Sequence, residues 1–332
     1  MVNKWVWRFS AKQLLLTLIT TGAIAYISTC LYLFWQQRHF VFEPSDRIDA
    51  LPSYPDFQLP YQDVHIPVGN NGDLLHGWWI PAPTPHEKFS TLPNEPVRIL
   101  KSPKTILYLC GRGGNKTYYN YITRAKALRQ LGFDVLAIDY RGYGLSGGML
   151  PSEVQVYADS QAAWNYLTQV RGIAPSQIFV YGESLGGAVA LDLVAKHPEV
   201  GGAIVQSSFT KMAEVIKLKS WLWLLPIDLI LTERFDSLSK VRSLNASNNA
   251  SKAKSHQIPI LFIHGTADDV VPVGMSQQLY DAAPEPKQLL LVPGAGHYRI
   301  YQPGSNSYLK AIQKFMEKAE SAKTTLAVRA TV

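Results

Sequence analysis

The sequence IFVYGESLGGAVA at residues 178–190 predicts a strand, a sharp turn and a helix in direct succession. Its first four residues are apolar, as in a buried strand, and its last residues are small and apolar, as in a helix close to a sheet. Between them, residues 182–186 match the pattern G-x-S-x-G. Where this pattern joins a strand to a helix, the strained serine projects above the sheet, so Ser184 is the candidate nucleophile.

A second match to the same pattern, at residues 144–148, contains Ser146. Chance matches to so short a pattern are common, because glycine and serine are abundant residues. The flanking residues RGYG and MLP predict a loop there, not a strand that runs into a helix. We therefore expect Ser184, and not Ser146, to be the nucleophile.

Short apolar segments alternate with amphipathic ones on both sides of this stretch. Strands are predicted at 64–68, 74–80, 105–110, 134–139, 177–181, 202–207, 258–264 and 288–292. Helices are predicted at 118–131, 152–170, 185–196, 273–282 and 305–319. This alternation is typical of an α/β domain whose mostly parallel sheet is covered by helices on both faces. We predict that residues 63–320 form this domain and that 321–332 form a flexible tail.

Residues 209–256 interrupt the alternation with a segment too long for an ordinary crossover. They contain WLWLLP at 221–226 and a polar stretch at 245–255. We interpret the first part as a small helical cap and the second as a mobile loop. Two interpretations of the Trp/Leu-rich part stay open: ordinary packing on the domain, or an acyl-binding wall or membrane-facing lid.

The N-terminal segment has no charged residue between Lys12 and Arg38, and residues 14–35 are almost wholly apolar. This length matches the roughly 20 residues of a membrane-spanning helix. Lys4, Arg8 and Lys12 precede the run. The positive-inside rule therefore predicts a cytoplasmic stub and transmembrane anchor at 1–40, a linker at 41–62 and an extracytoplasmic domain.

Two other N-terminal interpretations remain open. Residues 23–25 read AIA, as at a signal-peptidase site, and residues 27–30 read ISTC, which loosely resembles a lipoprotein processing site. The apolar run continues past the first site, and threonine before Cys30 fits the second poorly. Both observations favour an uncleaved anchor.

Charge and motifs exclude several function classes. The formal net charge is +7, but four basic residues precede the first acidic residue, Glu43, which leaves only three net charges for positions 41–332. A basic groove for nucleic acid is therefore not expected. Residues 111–116 lack the final glycine of a dinucleotide motif, and no Walker loop, H-E-x-x-H or paired Cys/His spacing occurs. We expect no cofactor and no metal.

A serine hydroxyl needs a positioned base, and in this arrangement the acid and the base follow the serine along the chain. Asp268 and Asp269 follow an apolar strand at the end where parallel sheets form their crevice, and both are candidates for the acid. Asp269 also suits a cap of the helix after Pro272. Of the eight histidines, only His297 comes later, in a glycine-rich loop, so it is the candidate base.

An acyl-transfer site also needs two backbone N–H groups directed at the oxyanion. The residue after the nucleophile, Leu185, supplies one. The glycine-rich residues 110–115 allow close approach to a substrate, and Arg112 N–H is the candidate for the other. For the Arg112 side chain, solvation is favoured over contact with an anionic group.

Taken together, these motifs resemble the α/β-hydrolase superfamily, and within it the membrane-anchored serine hydrolases with a short cap. The resemblance covers about residues 64–318 and rests on LYLCGxGGN at 107–115, DYRGYGxS at 139–146, GxSxGG at 182–187, HGxxDxxVP at 264–272 and GxGH at 294–297. It implies the α/β-hydrolase fold and selects Asp268 as the acid. The chain departs from its relatives at Cys110, where they commonly have histidine, and at Arg112, where they often have a small polar residue.

The sequence thus predicts a serine hydrolase that cleaves carboxylic esters or thioesters through an acyl-enzyme. A small acyl or lipid-like substrate is expected, because the anchor holds the site near a bilayer and the cap is rich in Trp and Leu. Two alternatives stay open: a serine peptidase, which the same triad supports, and a catalytically inert membrane-tethered binding protein on the same scaffold.

Overall fold

The computed structural model describes residues 10–84, 104–218, 220–250, 258–302 and 306–330. Eight strands of this part of the chain form one sheet in the order β1-β2-β4-β3-β5-β6-β7-β8. The strands are β1 (Gln62–Val68), β2 (Asp73–Ile80), β3 (Lys104–Leu109), β4 (Phe133–Ile138), β5 (Ile178–Glu183), β6 (Gly202–Gln206), β7 (Ile260–Gly265) and β8 (Lys287–Val292). The first two strands form an antiparallel hairpin, and all the later strands run parallel.

Helices cover both faces of this sheet. They are α1 (Ala11–Phe42), α2 (Tyr119–Gln130), α3 (Glu153–Asn165), α4 (Leu185–Lys196), α5 (Met212–Lys217), α6 (Ile227–Ile230), α7 (Ser237–Ala250), α8 (Val273–Ala282) and α9 (Asn306–Ala330). Helices α2 and α9 bury apolar side chains on one face, whereas α3, α4, α7 and α8 bury theirs on the other. The predicted α/β-hydrolase fold, with a mostly parallel sheet between two helical layers, is confirmed.

The segment between β6 and β7 forms a small helical cap, made of α5, the 3₁₀ turn Ser220–Leu224, α6 and α7. The polar stretch predicted as a loop is partly helical, because α7 continues to Ala250. Buried Val241 and Leu244 fix the preceding turns, and a helix that is already nucleated extends at little cost. The rest of the predicted loop, residues 251–255, lies outside the described residues.

Helix α1 is the described helix that is long and apolar enough to cross a membrane, with a mean hydropathy of 1.8 over its most apolar window. Its 32 residues correspond to about 48 Å, which exceeds the roughly 30 Å of a hydrocarbon core. Its last turns enter the domain, where Val41 and Phe42 are buried. The basic residues Lys4 and Arg8 lie outside the described residues.

The segment predicted as a linker, residues 41–62, is packed on the domain along much of its length. Phe42, Ala50, Phe57 and Leu59 are buried. At the other end of the domain, α9 continues past position 320 to Ala330, so the predicted tail begins inside a helix. The division into anchor, linker, domain and tail stays a prediction.

Candidate active site

Ser184 lies in the turn between β5 and α4, with φ 53° and ψ −115°. L-residues rarely occupy this region, at a cost on the order of 1–3 kcal/mol. Two hydrogen bonds hold the strained backbone: Ser184 N–H donates to Gln206 O at 2.8 Å, and Ser208 Oγ donates to Ser184 O at 2.9 Å. The turn therefore has the conformation that a nucleophile elbow requires.

Two glycines make this turn possible because backbone atoms approach them closely. A Cβ on Gly182 would lie 2.1 Å from Gly186 O, and one on Gly186 would lie 2.2 Å from Leu109 O. No side chain fits at either position. The glycines of the G-x-S-x-G pattern thus bring α4 against the ends of β3 and β5.

Asp268 and His297 come together at the carboxyl end of the sheet. His297 Nδ1 is 2.7 Å from Asp268 Oδ2, and both side chains are buried. The other carboxylate oxygen, Oδ1, accepts hydrogen bonds from Val270 N–H at 2.9 Å and Val271 N–H at 2.8 Å. Because His297 Nδ1 is bonded to the carboxylate, Nε2 is the ring nitrogen available to a reacting hydroxyl.

The carboxylate of Asp268 is held in its ionised form. Burial alone would raise its pKa, but hydrogen bonds from His264 and His297 outweigh burial and hold the pKa well below its usual range. Its neighbour Asp269 is exposed. The interpretation of Asp269 as a helix cap is wrong, since α8 has Pro272 at its N-cap and no side-chain cap bond.

His264 contacts the candidate acid, and reasoning from chain order passes over it. It is fully buried, with Nε2 2.9 Å from Val271 O and 3.1 Å from Asp268 Oδ2, and with Nδ1 2.6 Å from Ser276 Oγ. Its Nε2–H therefore points at both Val271 O and Asp268 Oδ2, the carboxylate oxygen that His297 Nδ1 also contacts. The sequence signal was the His-Gly-x-x-Asp motif, but the spacing alone does not reveal this contact.

Replacing His264 with phenylalanine should lower kcat/KM by about 10- to 100-fold, since a hydrogen bond to a charged group contributes roughly 1.5–3 kcal/mol. Without this donor the pKa of Asp268 rises. The more basic carboxylate then holds the imidazolium proton more strongly, so the acid limb of the pH–rate profile should move to higher pH. His264→Gln, whose amide can still donate, should lie between wild type and phenylalanine. Unchanged midpoints in both variants would contradict this positioning role.

The loop after β3 is fixed on both sides of Arg112. Gly111 N–H donates to the Tyr121 hydroxyl at 3.0 Å, and Gly113 N–H donates to Phe42 O at 3.1 Å. The other predicted donor, Leu185, is the first residue of α4, where an N–H has no partner within the helix. Both predicted oxyanion donors therefore belong to backbone segments that the fold holds in place.

The Arg112 side chain differs from the solvated form that the sequence favoured. Its Nη2 is 2.6 Å from Glu43 Oε2, and the side chain is about one-third exposed. Glu43 is the residue that ends α1. An ion pair thus joins the loop after β3 to the end of the N-terminal helix.

A buried ion pair that the sequence did not reveal lies behind the elbow. The Glu183 carboxylate pairs with Arg124 of α2 and accepts a hydrogen bond from the Tyr108 hydroxyl at 3.3 Å. Burial raises the pKa of Glu183, and the charge of Arg124 opposes that rise. Since α2 follows the loop after β3, this pair fixes α2, and with it the end of that loop, relative to Ser184.

Ser146, in the second match to the pattern, has a structural environment. Its hydroxyl donates to Asp139 O at 2.8 Å and accepts from His76 N–H at 2.8 Å. These bonds join the loop after β4 to β2. The hydroxyl is therefore engaged by backbone atoms.

Ser184 and His297 line one cavity of about 440 Å³. Arg112, Tyr118 and Tyr298 contribute to its wall, together with residues 43–45. The structure thus brings Ser184, His297 and Arg112 to one cavity, with Asp268 behind the histidine. Such an arrangement of hydroxyl, imidazole and carboxylate can perform nucleophilic acyl transfer.

Comparison with known proteins gives consistent results. Residues 101–240 and 228–303 match the Hydrolase_4 family model, described as serine aminopeptidase, S33. The uncharacterized protein Rv2307c of Mycobacterium tuberculosis is 31% identical over 302 residues, which cover 91% of this chain and 92% of that protein. Human alpha/beta hydrolase domain-containing protein 17B is 30% identical over 185 residues, or 56% and 57% of the two chains.

Solved structures show the same architecture. The Pyrococcus furiosus esterase Pf2001 superposes with a TM-score of 0.60 at 21% identity, covering 83% of this chain and 98% of that one. At this identity the likeness shows the fold alone. The fold and the family match agree, and we conclude that this chain is a hydrolase belonging to the Hydrolase_4 family of the α/β-hydrolase superfamily.

Proposed function

We propose that this hydrolase cleaves carboxylic ester or thioester bonds through an acyl-enzyme on Ser184. The observation that carries the proposal is the 2.7 Å Asp268–His297 hydrogen bond behind a cavity that Ser184 and His297 both line. A strained serine that lines the same cavity as a carboxylate-oriented imidazole has the partners that activate a hydroxyl for attack.

In the first half of the reaction, Ser184 Oγ attacks the acyl carbonyl carbon while His297 Nε2 takes the hydroxyl proton. The ionised Asp268 stabilises the resulting imidazolium through Nδ1–H. The carbon–oxygen or carbon–sulfur bond of the substrate then breaks, and the alcohol or thiol leaves with the proton from His297. Ser184 is left as an acyl ester.

In the second half, water attacks that ester while His297 takes its proton. The acid is released, and the proton returns to Ser184 Oγ. In both halves the negative charge develops on the former carbonyl oxygen, where the Leu185 and Arg112 N–H groups donate to it. One such donor typically contributes on the order of 10²–10³ to kcat.

Cleavage of peptides is the second candidate, which the description of the matching family model favours. An aminopeptidase needs an anionic group to receive the substrate ammonium. Glu43 lines the cavity, and its carboxylate, 63% exposed, is 2.6 Å from the Arg112 guanidinium. A substrate ammonium would have to compete with that guanidinium for the carboxylate, which supports ester and thioester substrates over aminopeptidase substrates.

This preference can be tested with three substrates that share one acyl group and carry it as an oxygen ester, a thioester or an anilide. Anilides of amino acids with a free amino group serve as the peptidase control. We expect kcat/KM for the ester and the thioester to exceed that for both anilides. Higher kcat/KM for the aminoacyl anilides would identify a peptidase. Failure of a fluorophosphonate to label Ser184, together with no turnover, would favour the inert binding protein.

We further propose that α1 is an uncleaved single-pass anchor with its N-terminus in the cytoplasm and the hydrolase domain on the other side. Its apolar window is unburied, and its last turns pack into the domain. In sealed vesicles that keep the cytoplasmic face inside, external protease should digest the domain. Protection of the domain in those vesicles would reverse the orientation.

A further inference from the structure

An apolar cavity of about 340 Å³ lies between helix α1 and the cap, and we call it the cap groove. Leu33 and Val41 line it from α1, and Ile216 and Ile230 line it from the cap. Its volume lies within the roughly 300–1,000 Å³ of small-molecule sites. Eight of its eleven other lining residues are apolar or aromatic, so most of its wall suits hydrocarbon, and the polar ones are Thr29, Gln37 and Arg112.

The cap groove adjoins the catalytic cavity. Arg112 lines both cavities, and Val41 of the groove is two residues from Glu43 of the catalytic cavity. The Arg112–Glu43 ion pair therefore marks their junction. An acyl group whose carbonyl lies at Ser184 would extend its hydrocarbon chain past Arg112 into the groove. The alcohol or thiol part of the substrate would stay in the polar cavity.

The outer side of the cap lies beside the proposed membrane span. The Tyr26 hydroxyl donates to Leu224 O at 3.3 Å, and Tyr26 lies in the middle of the apolar run 14–35. Along the axis of α1, the 3₁₀ turn of the cap therefore lies at the height of the middle of the proposed membrane span. Nearby, Trp223 is 65% exposed and Leu229 is 86% exposed. Large apolar side chains at this level gain free energy from contact with lipid tails.

We propose that the cap groove is the acyl-chain site of this hydrolase and that the chain enters it sideways from the bilayer. The occupant is one long hydrocarbon chain, the acyl group of the ester or thioester that Ser184 cleaves, so this step rests on the proposed function. Helix α1 then anchors the protein in the membrane and also forms one wall of the substrate site.

Two leucines of the same helix provide a matched pair of variants. Leu33 is half-buried and lines the groove, whereas Leu31 is 56% exposed and does not line it. Leu33→Trp should fill the groove, and Leu31→Trp should leave it open. Ile230→Trp in the groove and Leu229→Trp outside it form a second pair, on the opposite wall.

The full-length protein is assayed in phosphatidylcholine vesicles with p-nitrophenyl esters from acetate to palmitate. Wild-type kcat/KM should rise roughly fourfold per added methylene while the chain still fits the groove. Leu33→Trp and Ile230→Trp should keep the acetate rate and lose roughly 50-fold on palmitate, the effect of three displaced methylenes. The two control variants should follow the wild-type profile.

Two results would overturn the groove assignment while leaving the proposed function intact. One is Ser184-dependent acetate cleavage with no increase for longer chains. The other is an equal loss on palmitate in the groove variants and their controls. Absence of cleavage of every ester and thioester would instead overturn the proposed function itself.

A second measurement locates the chain directly. A long-chain fluorophosphonate with a terminal diazirine reacts as Ser184 Oγ bonds to phosphorus, fluoride leaves and His297 takes the proton. After irradiation, mass spectrometry should find the cross-link on groove residues such as Tyr32 or Leu222. Labelling of Ser184 with cross-links only outside the groove would refute the site, whereas no labelling of Ser184 would refute the proposed function.

Discussion

Replacing Ser184 with alanine is expected to lower kcat on the best ester by a factor on the order of 10⁶ and to abolish fluorophosphonate labelling. Without Oγ no acyl-enzyme forms, and His297 and Asp268 have no hydroxyl to activate. A residual rate of roughly 10³–10⁴ over water would reflect the oxyanion donors and substrate binding. The measurement is kcat per mole of purified protein, with thermal unfolding to show that the fold is retained.

Ser146→Ala is the control for this experiment, since it lies in the other match to the same pattern. Its hydroxyl joins Asp139 O to His76 N–H. The variant should keep wild-type kcat and labelling while losing about 1 kcal/mol of unfolding free energy. Full activity in Ser184→Ala, or loss of activity in Ser146→Ala alone, would show that the nucleophile has been misassigned.

Gly186→Ala is expected to lower the free energy of unfolding by about 3 kcal/mol or more, a large part of the roughly 5–15 kcal/mol of a typical domain. The added Cβ would lie 2.2 Å from Leu109 O and 2.5 Å from Cys110 O. Neither carbonyl belongs to a flexible side chain, and β3 is paired on both sides by β4 and β5. The same displacement moves the oxyanion loop that follows Cys110, so activity should fall with stability.

Gly274→Ala is the matched control, because it makes the same chemical change where there is room. Gly274 lies exposed in α8, and a Cβ there meets no atom within 4 Å. Because Gly274 is the second residue of α8, alanine there should raise stability by at most the roughly 0.5–1 kcal/mol that it gains in the middle of a helix. Denaturant unfolding compares the two variants. Equal and small effects at both positions would show that the close approach at Gly186 is not a constraint.

Several features were predictable because they depend on residues close together in the chain. Alternating apolar segments predict strands and helices, and IFVYGESLGGAVA predicts the turn that the structure has at Ser184. Even the choice between Ser184 and Ser146 depends on local context. The polar end of α7 was interpreted wrongly, because its composition indicates a loop whereas buried Val241 and Leu244 extend the helix from its preceding turns.

Other features depend on contacts between distant segments. Arg124 of α2 pairs with Glu183 of β5, and Glu43 at the end of α1 pairs with Arg112. Neither contact has a local pattern. Each depends on where the sheet order and helix packing bring two segments together.

By itself, the sequence predicted the alternation of elements, the sharp turn at Ser184 and the chain order of the candidate nucleophile, acid and base. Hydrophobic periodicity and glycine placement are local properties, and they suffice for these. Chain order left two adjacent aspartates open, the family resemblance selected Asp268, and the tertiary structure places that carboxylate 2.7 Å from His297. Only the tertiary structure decided that an apolar N-terminal helix packs against the cap beside the catalytic cavity. Both outcomes depend on the directions of side chains and on packing between segments far apart in the chain, which no local pattern encodes.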